Sequence, residues 1–174
     1  MSAAAAEAPV RMPPIARLAP AEVQQFLLHE ADLLDRRELD AWLALYTPDC
    51  TYWVPAEPGD PDPTRRVSLF FDDRSILVDR IWRLGHPRMY SQSPPARQVR
   101  VLSQAVLAPD DDAPARMRTR TKFILFEHRL REQRTFGGTY EHELVAYEGA
   151  WQIARKVVRL AQCDAVLWNL GIPL

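Results

Sequence analysis

Ala115-Arg116-Met117-Arg118-Thr119-Arg120-Thr121-Lys122-Phe123-Ile124-Leu125-Phe126-Glu127 is the stretch whose reading decides the fold. Arg116, Arg118, Arg120 and Lys122 share one parity, and Met117, Thr119, Thr121, Phe123 and Leu125 share the other. Successive side chains of a strand point to opposite faces, so this segment is a long strand with a charged side and a core side. The same period of two governs everything after Val99. Val99 to Leu107 reads as one strand before it, with Asp110 to Pro114 as the turn between. Thr139 to Tyr147 is a third long strand. Gly137-Gly138 precedes it, where a bulge or sharp bend is expected. Glu148-Gly149 is a short hairpin link into the fourth strand, Trp151 to Ala161.

Upstream of Val99 the period is 3.6. Pro20 opens a helix at a position where its missing N–H costs little. Val23, Phe26, Leu27, Ala31 and Leu34 then form one apolar stripe, with Glu22, Gln25, His29 and Asp32 elsewhere. Asp35-Arg36-Arg37-Glu38 is a candidate cap for a second, shorter helix whose face carries Leu39, Trp42, Leu43 and Tyr46. Thr47-Pro48 ends it, because the residue before proline is pushed out of the helical region. Cys50 to Pro55 is a β-type run, and Pro55, Pro58, Pro61 and Pro63 make 55 to 63 an exposed loop. A third helix starts near Asp72 or Asp73 and runs to Leu84, with Ile76, Leu77, Arg80 and Ile81 giving the period and Gly85 as the stop. Pro87, Pro94 and Pro95 mark a second irregular stretch.

Three helices followed by long antiparallel strands define an α+β domain, because the helices must cover one face of the sheet. A long, bent sheet wrapped round a helix makes a cone with an apolar interior. The domain spans residues 20 to 174, and the alanine- and proline-rich residues 1 to 19 read as a flexible arm.

The chain has 174 residues, 47% hydrophobic and 26% charged, with a net charge of −1. That length suffices for one real core, and the charge balance favours neither nucleic acid nor an anionic membrane. No apolar run approaches the ~20 residues that cross a bilayer. The first nine residues lack the basic start and apolar stretch of a secretory signal, so the cytoplasm is the expected compartment. Cys50 and Cys163 then read as buried free thiols rather than a bridge.

Metal-binding patterns are missing. A Rieske iron–sulfur centre takes two cysteines and two histidines, and neither cysteine stands in a Cys-x-His or Cys-x-x-His word. His29, His86, His128 and His142 contain no i, i+4 pair, and zinc spacing is likewise missing. Gly137-Gly138 lies between strand-like segments, not between a strand and a helix, so it is no phosphate cradle. The expected catalytic, cofactor-binding and metal residues of this chain are therefore none. The basic face of the long strand reads as solvated and paired with Glu141 and Glu143 of a neighbouring strand; subunit contact and nucleic acid are its other readings. If the cone held an acid–base site, Asp49, Tyr52 and His142 would be the candidates. The favoured readings of the three are, respectively, a loop residue, a core aromatic and an ordinary strand histidine.

Local words then add a family resemblance. They begin with Phe26-Leu27-Leu28-His29-Glu30-Ala31, Leu33-Leu34-Asp35, Trp42-Leu43-Ala44-Leu45-Tyr46 and Tyr52-Trp53-Val54-Pro55. Phe71-Asp72-Asp73, Leu77, Arg80, Arg83-Leu84, Pro94-Pro95 and Arg97 follow in the middle. Phe136-Gly137-Gly138-Thr139-Tyr140-Glu141-His142-Glu143-Leu144, Trp151-Gln152-Ile153, Lys156-Val157-Val158 and Asn169 complete the series. In order and spacing the chain resembles the small (beta) subunit of aromatic-ring-hydroxylating dioxygenases. It departs from the family pattern at Ala96, Gln104 and Tyr90-Ser91-Gln92, which bears on substrate subgroup rather than on fold.

The resemblance implies a cystatin-like cone, similar to nuclear transport factor 2. It implies a structural subunit of a terminal oxygenase that serves aromatic catabolism. It also implies a large (alpha) subunit as partner, three of each, holding the Rieske [2Fe-2S] cluster and the mononuclear iron. Electron-transfer chains with a reductase would supply electrons from NAD(P)H. Two other readings stay open on the residues alone: a stand-alone isomerase or dehydratase of the same fold, and a binding module for a small apolar ligand.

Overall fold

A computed structural model describes residues 18–86, 94–109, 115–165, 167, 170, 173 and 174. The expected arm (up to residue 17), the turn 110–114, most of the stretch after Pro87, and Asn169 lie outside the described residues.

Helix α1 spans Pro20–Asp35 and α2 spans Leu39–Ala44; strand β1 is Tyr46–Pro55 and β2 is Ser68–Asp73. Helix α3 is Arg74–Gly85, followed by β3 (Arg97–Leu102), β4 (Val106–Pro109), β5 (Arg116–Arg129), β6 (Glu132–Tyr147) and β7 (Ala150–Leu160). The strands join in one sheet of order β2-β1-β7-β6-β5-β3, with β4 also on β5. All pairings are antiparallel except β1 with β7. The long strand behaves as its alternation requires: Met117, Thr119, Thr121, Phe123, Leu125 and Glu127 are buried, and the residues between them are exposed. The helices lie over the buried face, and Val23, Leu27, Leu34, Trp42, Leu77 and Ile81 join Phe123, Leu125, Tyr140 and Leu144 in one core.

Helix starts follow local chemistry. Glu22 Oε2 accepts from Ala19 N at 2.7 Å, and Asp73 Oδ1 accepts from Ile76 N at 2.9 Å as the N-cap of α3. Asp35 is not the expected cap of α2. It ends α1, and its carboxylate accepts from the backbone N–H and guanidinium of Arg100. Buried Arg100 outcompetes an exposed cap for that charge.

Two other expectations are corrected, and one strand, β2, adds to them. Tyr46 opens β1 rather than closing α2, since the backbone here is recruited by β7: Leu45 O accepts from Ile153 N at 2.8 Å. Val99 to Leu107 is two strands, because at Ser103–Ala105 the backbone turns to α1. There Gln24 Oε1 accepts from Ala105 N at 2.8 Å. β2, whose Leu69-Phe70-Phe71 run is too short to show a period, pairs with β1 from Thr51↔Asp73 to Pro55↔Ser68.

Gly137 and Gly138 lie inside β6, and the register with β5 runs through them without a shift. The reason for glycine is close approach: a Cβ on Gly138 would stand 2.0 Å from Arg159 O of β7. Opposite Gly138 on β5 is Phe123, whose ring stacks on Tyr140 at 3.8 Å between centroids.

Candidate functional site

Glu30 stands in the apolar stripe of α1, between Leu27 and Leu34, and is 2% exposed. A carboxylate there needs compensation from every neighbouring element. From α2, Trp42 Nε1 donates to Glu30 Oε1 at 3.1 Å. From β1, the Tyr46 hydroxyl donates to the same oxygen at 3.3 Å. From β7, Lys156 Nζ donates to it at 2.8 Å, and on β6 His142 Nε2 meets Oε2 at 2.9 Å. A carboxylate has no proton to give, so Nε2 carries the hydrogen. His142 Nδ1 is then the free lone pair, and it is buried without a hydrogen-bond partner.

Lys156 reaches this point through a local irregularity. Ile153 is inward, and strict alternation would send Lys156, three residues on, to solvent. The β6–β7 register pairs Glu143 with Arg155 but Leu144 with Ile153, so Ala154 is an extra residue in β7. That one-residue bulge turns Lys156 into the cone, where it is 0% exposed and its Nζ lies 4.3 Å from the Tyr140 ring centroid.

The electrostatics follow from burial and pairing. Burial alone pushes the Glu30 carboxyl up, but Lys156 and His142 outweigh it and hold the group well below the usual carboxylate range. Burial lowers both His142 and Lys156, each partly restored by Glu30. Burial, then the Glu30 charge, drives the Tyr46 hydroxyl far above its usual range. The state is a Glu30–Lys156 ion pair, a neutral His142 donating through Nε2, and a neutral Tyr46.

The candidate acid–base residues do not converge as one site. Asp49 is exposed in β1. Tyr52 and His142 both point into the cone, but Tyr52 is engaged elsewhere. Its hydroxyl accepts from Leu174 N at 2.8 Å and donates to Leu174 O at 3.2 Å. Leu174 is fully buried, and Arg100 holds the preceding Pro173 O at 3.0 Å. Glu30 and Lys156 were missed as functional candidates. Glu30 carried one signal, a carboxylate at i+3 from Leu27 and i−4 from Leu34; Lys156 carried none, because the bulge is not written in its spacing.

Metal donors are not brought together among the described residues: no three His, Cys, Asp or Glu side chains are placed to hold an ion. Cys50 and Cys163 are free and buried. Burial raises the Cys50 thiol, against what a metal-binding thiolate requires. The donor set for a Rieske cluster or a mononuclear iron therefore does not fit this chain's described residues.

Fold and interior together define a helix-covered, cone-shaped α+β domain of the cystatin-like class. The chain belongs to the ring hydroxylating beta subunit family, whose model matches residues 29–165. It is thus the small-subunit type of an aromatic-ring-hydroxylating dioxygenase, an oxidoreductase. A relative is the small oxygenase component of the p-cumate 2,3-dioxygenase system of Pseudomonas putida, 30% identical over 90% of this chain and 89% of that one. The solved beta subunit of benzoate 1,2-dioxygenase from Burkholderia mallei superposes with a TM-score of 0.73 at 24% identity, covering 93% of this chain and all of that one. Naphthalene 1,2-dioxygenase gives 0.77 at 21%, covering 89% and 85%. An NTF2-like protein with a cystatin-like fold from Novosphingobium aromaticivorans gives 0.57 at 14%, covering 83% of each chain.

Proposed function

We propose that this chain works by docking and not by chemistry of its own. It is the structural small subunit that supports a large (alpha) oxygenase subunit, three of each, in the oxidation of aromatic compounds. The Rieske cluster and mononuclear iron belong to that large subunit, and separate electron-transfer chains deliver electrons from NAD(P)H. The proposed compartment is the cytoplasm. No helix among the described residues is long and apolar enough to cross a membrane.

The observation that supports this reading is the closure of the Glu30 cluster. A general acid or base must come within hydrogen-bond reach of the proton it moves. Here Glu30, His142 and Lys156 are at most 3% exposed, and Glu30 is spent on compensating its neighbours. Tyr52, the other candidate, is occupied at both lone pair and proton by Leu174. An isomerase or dehydratase would need one of these groups open to substrate.

The test is co-expression with the large subunit. The pair should co-purify and hydroxylate an aromatic ring, while this chain alone should hold no stoichiometric iron. Turnover of a ketone or a hydroxylated aromatic by the single chain, lost in Tyr52→Phe or His142→Ala, would replace the docking reading with the enzymatic one.

A further inference from the structure

Pro173 and Leu174 belong to no helix or strand, yet both are buried, and Leu174, at 0% exposure, joins the core. Irregular backbone normally stays at the surface, because its polar groups find no partners inside. Here side chains of two strands that are not neighbours in the sheet supply the partners. From β1, the Tyr52 hydroxyl accepts from Leu174 N at 2.8 Å and donates to Leu174 O at 3.2 Å. From β3, Arg100 Nη2 donates to Pro173 O at 3.0 Å. An apolar side chain in a pocket, oriented by a few polar contacts to its amide, is how a small ligand is held.

The receiving groups are positioned independently of that occupant. The Arg100 side chain is fully buried, and the Asp35 carboxylate accepts from its backbone N–H at 2.8 Å and from its guanidinium. Gln98 Oε1 accepts from Arg100 Nη1 at 3.4 Å, which leaves Nη2 for Pro173. A buried arginine is costly even when paired, so packing alone favours an apolar side chain at this position. Hydrogen-bonding capacity is also left over. The Arg100 charge reaches the Tyr140 hydroxyl, yet neither that hydroxyl nor Arg100 Nε has a partner in hydrogen-bonding geometry. Two buried donors beyond those that Pro173 and Leu174 use point to an occupant with more acceptor capacity than this segment presents.

We propose that Tyr52 and Arg100 form a binding site for a small apolar amide, which Pro173 and Leu174 occupy as a built-in competitor. Two features select the class. Tyr52 both accepts and donates, which suits an amide N–H and C=O together and not a carboxylate. Asp35 already neutralises Arg100, so a carboxylate would bring an uncompensated charge into the interior. The buried Leu174 side chain sets the body as compact and branched. A tethered competitor acts at high effective concentration, so an outside amide binds only the molecules whose own segment has withdrawn. The site stands whether or not the chain pairs with a large subunit.

The probe is 4-methylpentanamide, the leucine skeleton with its carboxyl as an amide and no amino group. Titration calorimetry and thermal melts on the full-length chain supply the readout. Leu174→Gly weakens the competitor, so it should bind the amide about tenfold or more tightly than wild type, with a rise in Tm. It should bind 4-methylpentanoate about tenfold more weakly than the amide at neutral pH. Adding Tyr52→Phe should weaken the amide about fivefold, the loss of a hydrogen bond. No binding by Leu174→Gly, equal binding of the carboxylate, or an affinity indifferent to Tyr52→Phe would overturn the site. Should either variant lose its fold, wild type decides. Saturating amide should then speed hydrogen exchange at the Leu174 N–H that it displaces, and unchanged exchange would overturn the proposal.

Discussion

Replacing Lys156 with methionine isolates the electrostatics of the cone. The side chain is fully buried and its Nζ sits 2.8 Å from Glu30 Oε1. Methionine fills similar volume but leaves the carboxylate without its ammonium. Removing one partner of a buried ion pair costs about 3–5 kcal/mol, mostly because the other charge stays buried and uncompensated. For a domain of this size that is a fall in Tm of roughly 6–20 °C. The Trp42, Tyr46 and His142 hydrogen bonds survive, and His142 can become the new counter-ion by taking a proton. In wild type, burial holds the His142 pKa below its ordinary value of 6.5, so its contribution is present above that pH and is lost as pH falls. In Lys156→Met the ammonium that opposes protonation of His142 is gone, so the folded pKa should rise toward its ordinary value. The loss of stability as pH falls should then be shallower than in wild type, and the variant's deficit should narrow between pH 8 and pH 6. Urea unfolding at several pH values, with Glu30→Gln and the double variant Glu30→Gln/Lys156→Met, measures both effects. The double variant should recover at least about 2 kcal/mol of the summed single losses. A Lys156→Met cost under about 1 kcal/mol, a wild-type pH slope, or additive losses would refute the paired state.

Three further outcomes are expected. His142→Gln should flatten the stability loss of wild type between pH 6.5 and 4.5, the ordinary values of a histidine and a glutamate, in thermal melts. An unchanged profile would mean that His142 is not held neutral. Gly138→Ala should cost roughly 3 kcal/mol or more, since its Cβ would meet the Arg159 carbonyl at 2.0 Å. A wild-type Tm in that variant would rule out the close approach of β6 and β7. Tyr52→Phe removes both hydrogen bonds to Leu174 and should cost about 1–3 kcal/mol. It should also speed amide hydrogen exchange at Leu174, and unaltered exchange would argue against Tyr52 as the anchor.

The sequence alone carries what repeats. The parity of residues 116 to 125 fixes which side of β5 is core, because a strand has no other way to place consecutive side chains. The stripe from Val23 to Leu34 and the Asp73 cap place α1 and α3 for equally local reasons. Family words added the subunit type. Contacts between distant segments decided the rest. β1 and β7 pair in parallel, so Tyr46 left the helix face its spacing suggested. Gln24 of α1 split one expected strand into β3 and β4. The cluster around Glu30 joins residues up to 126 positions apart. One inserted residue in β7 put Lys156 among those partners, and no local period predicts such an insertion. The low dielectric of a closed interior made these residues a unit, because a buried carboxylate is tolerated only where several elements bring donors to it.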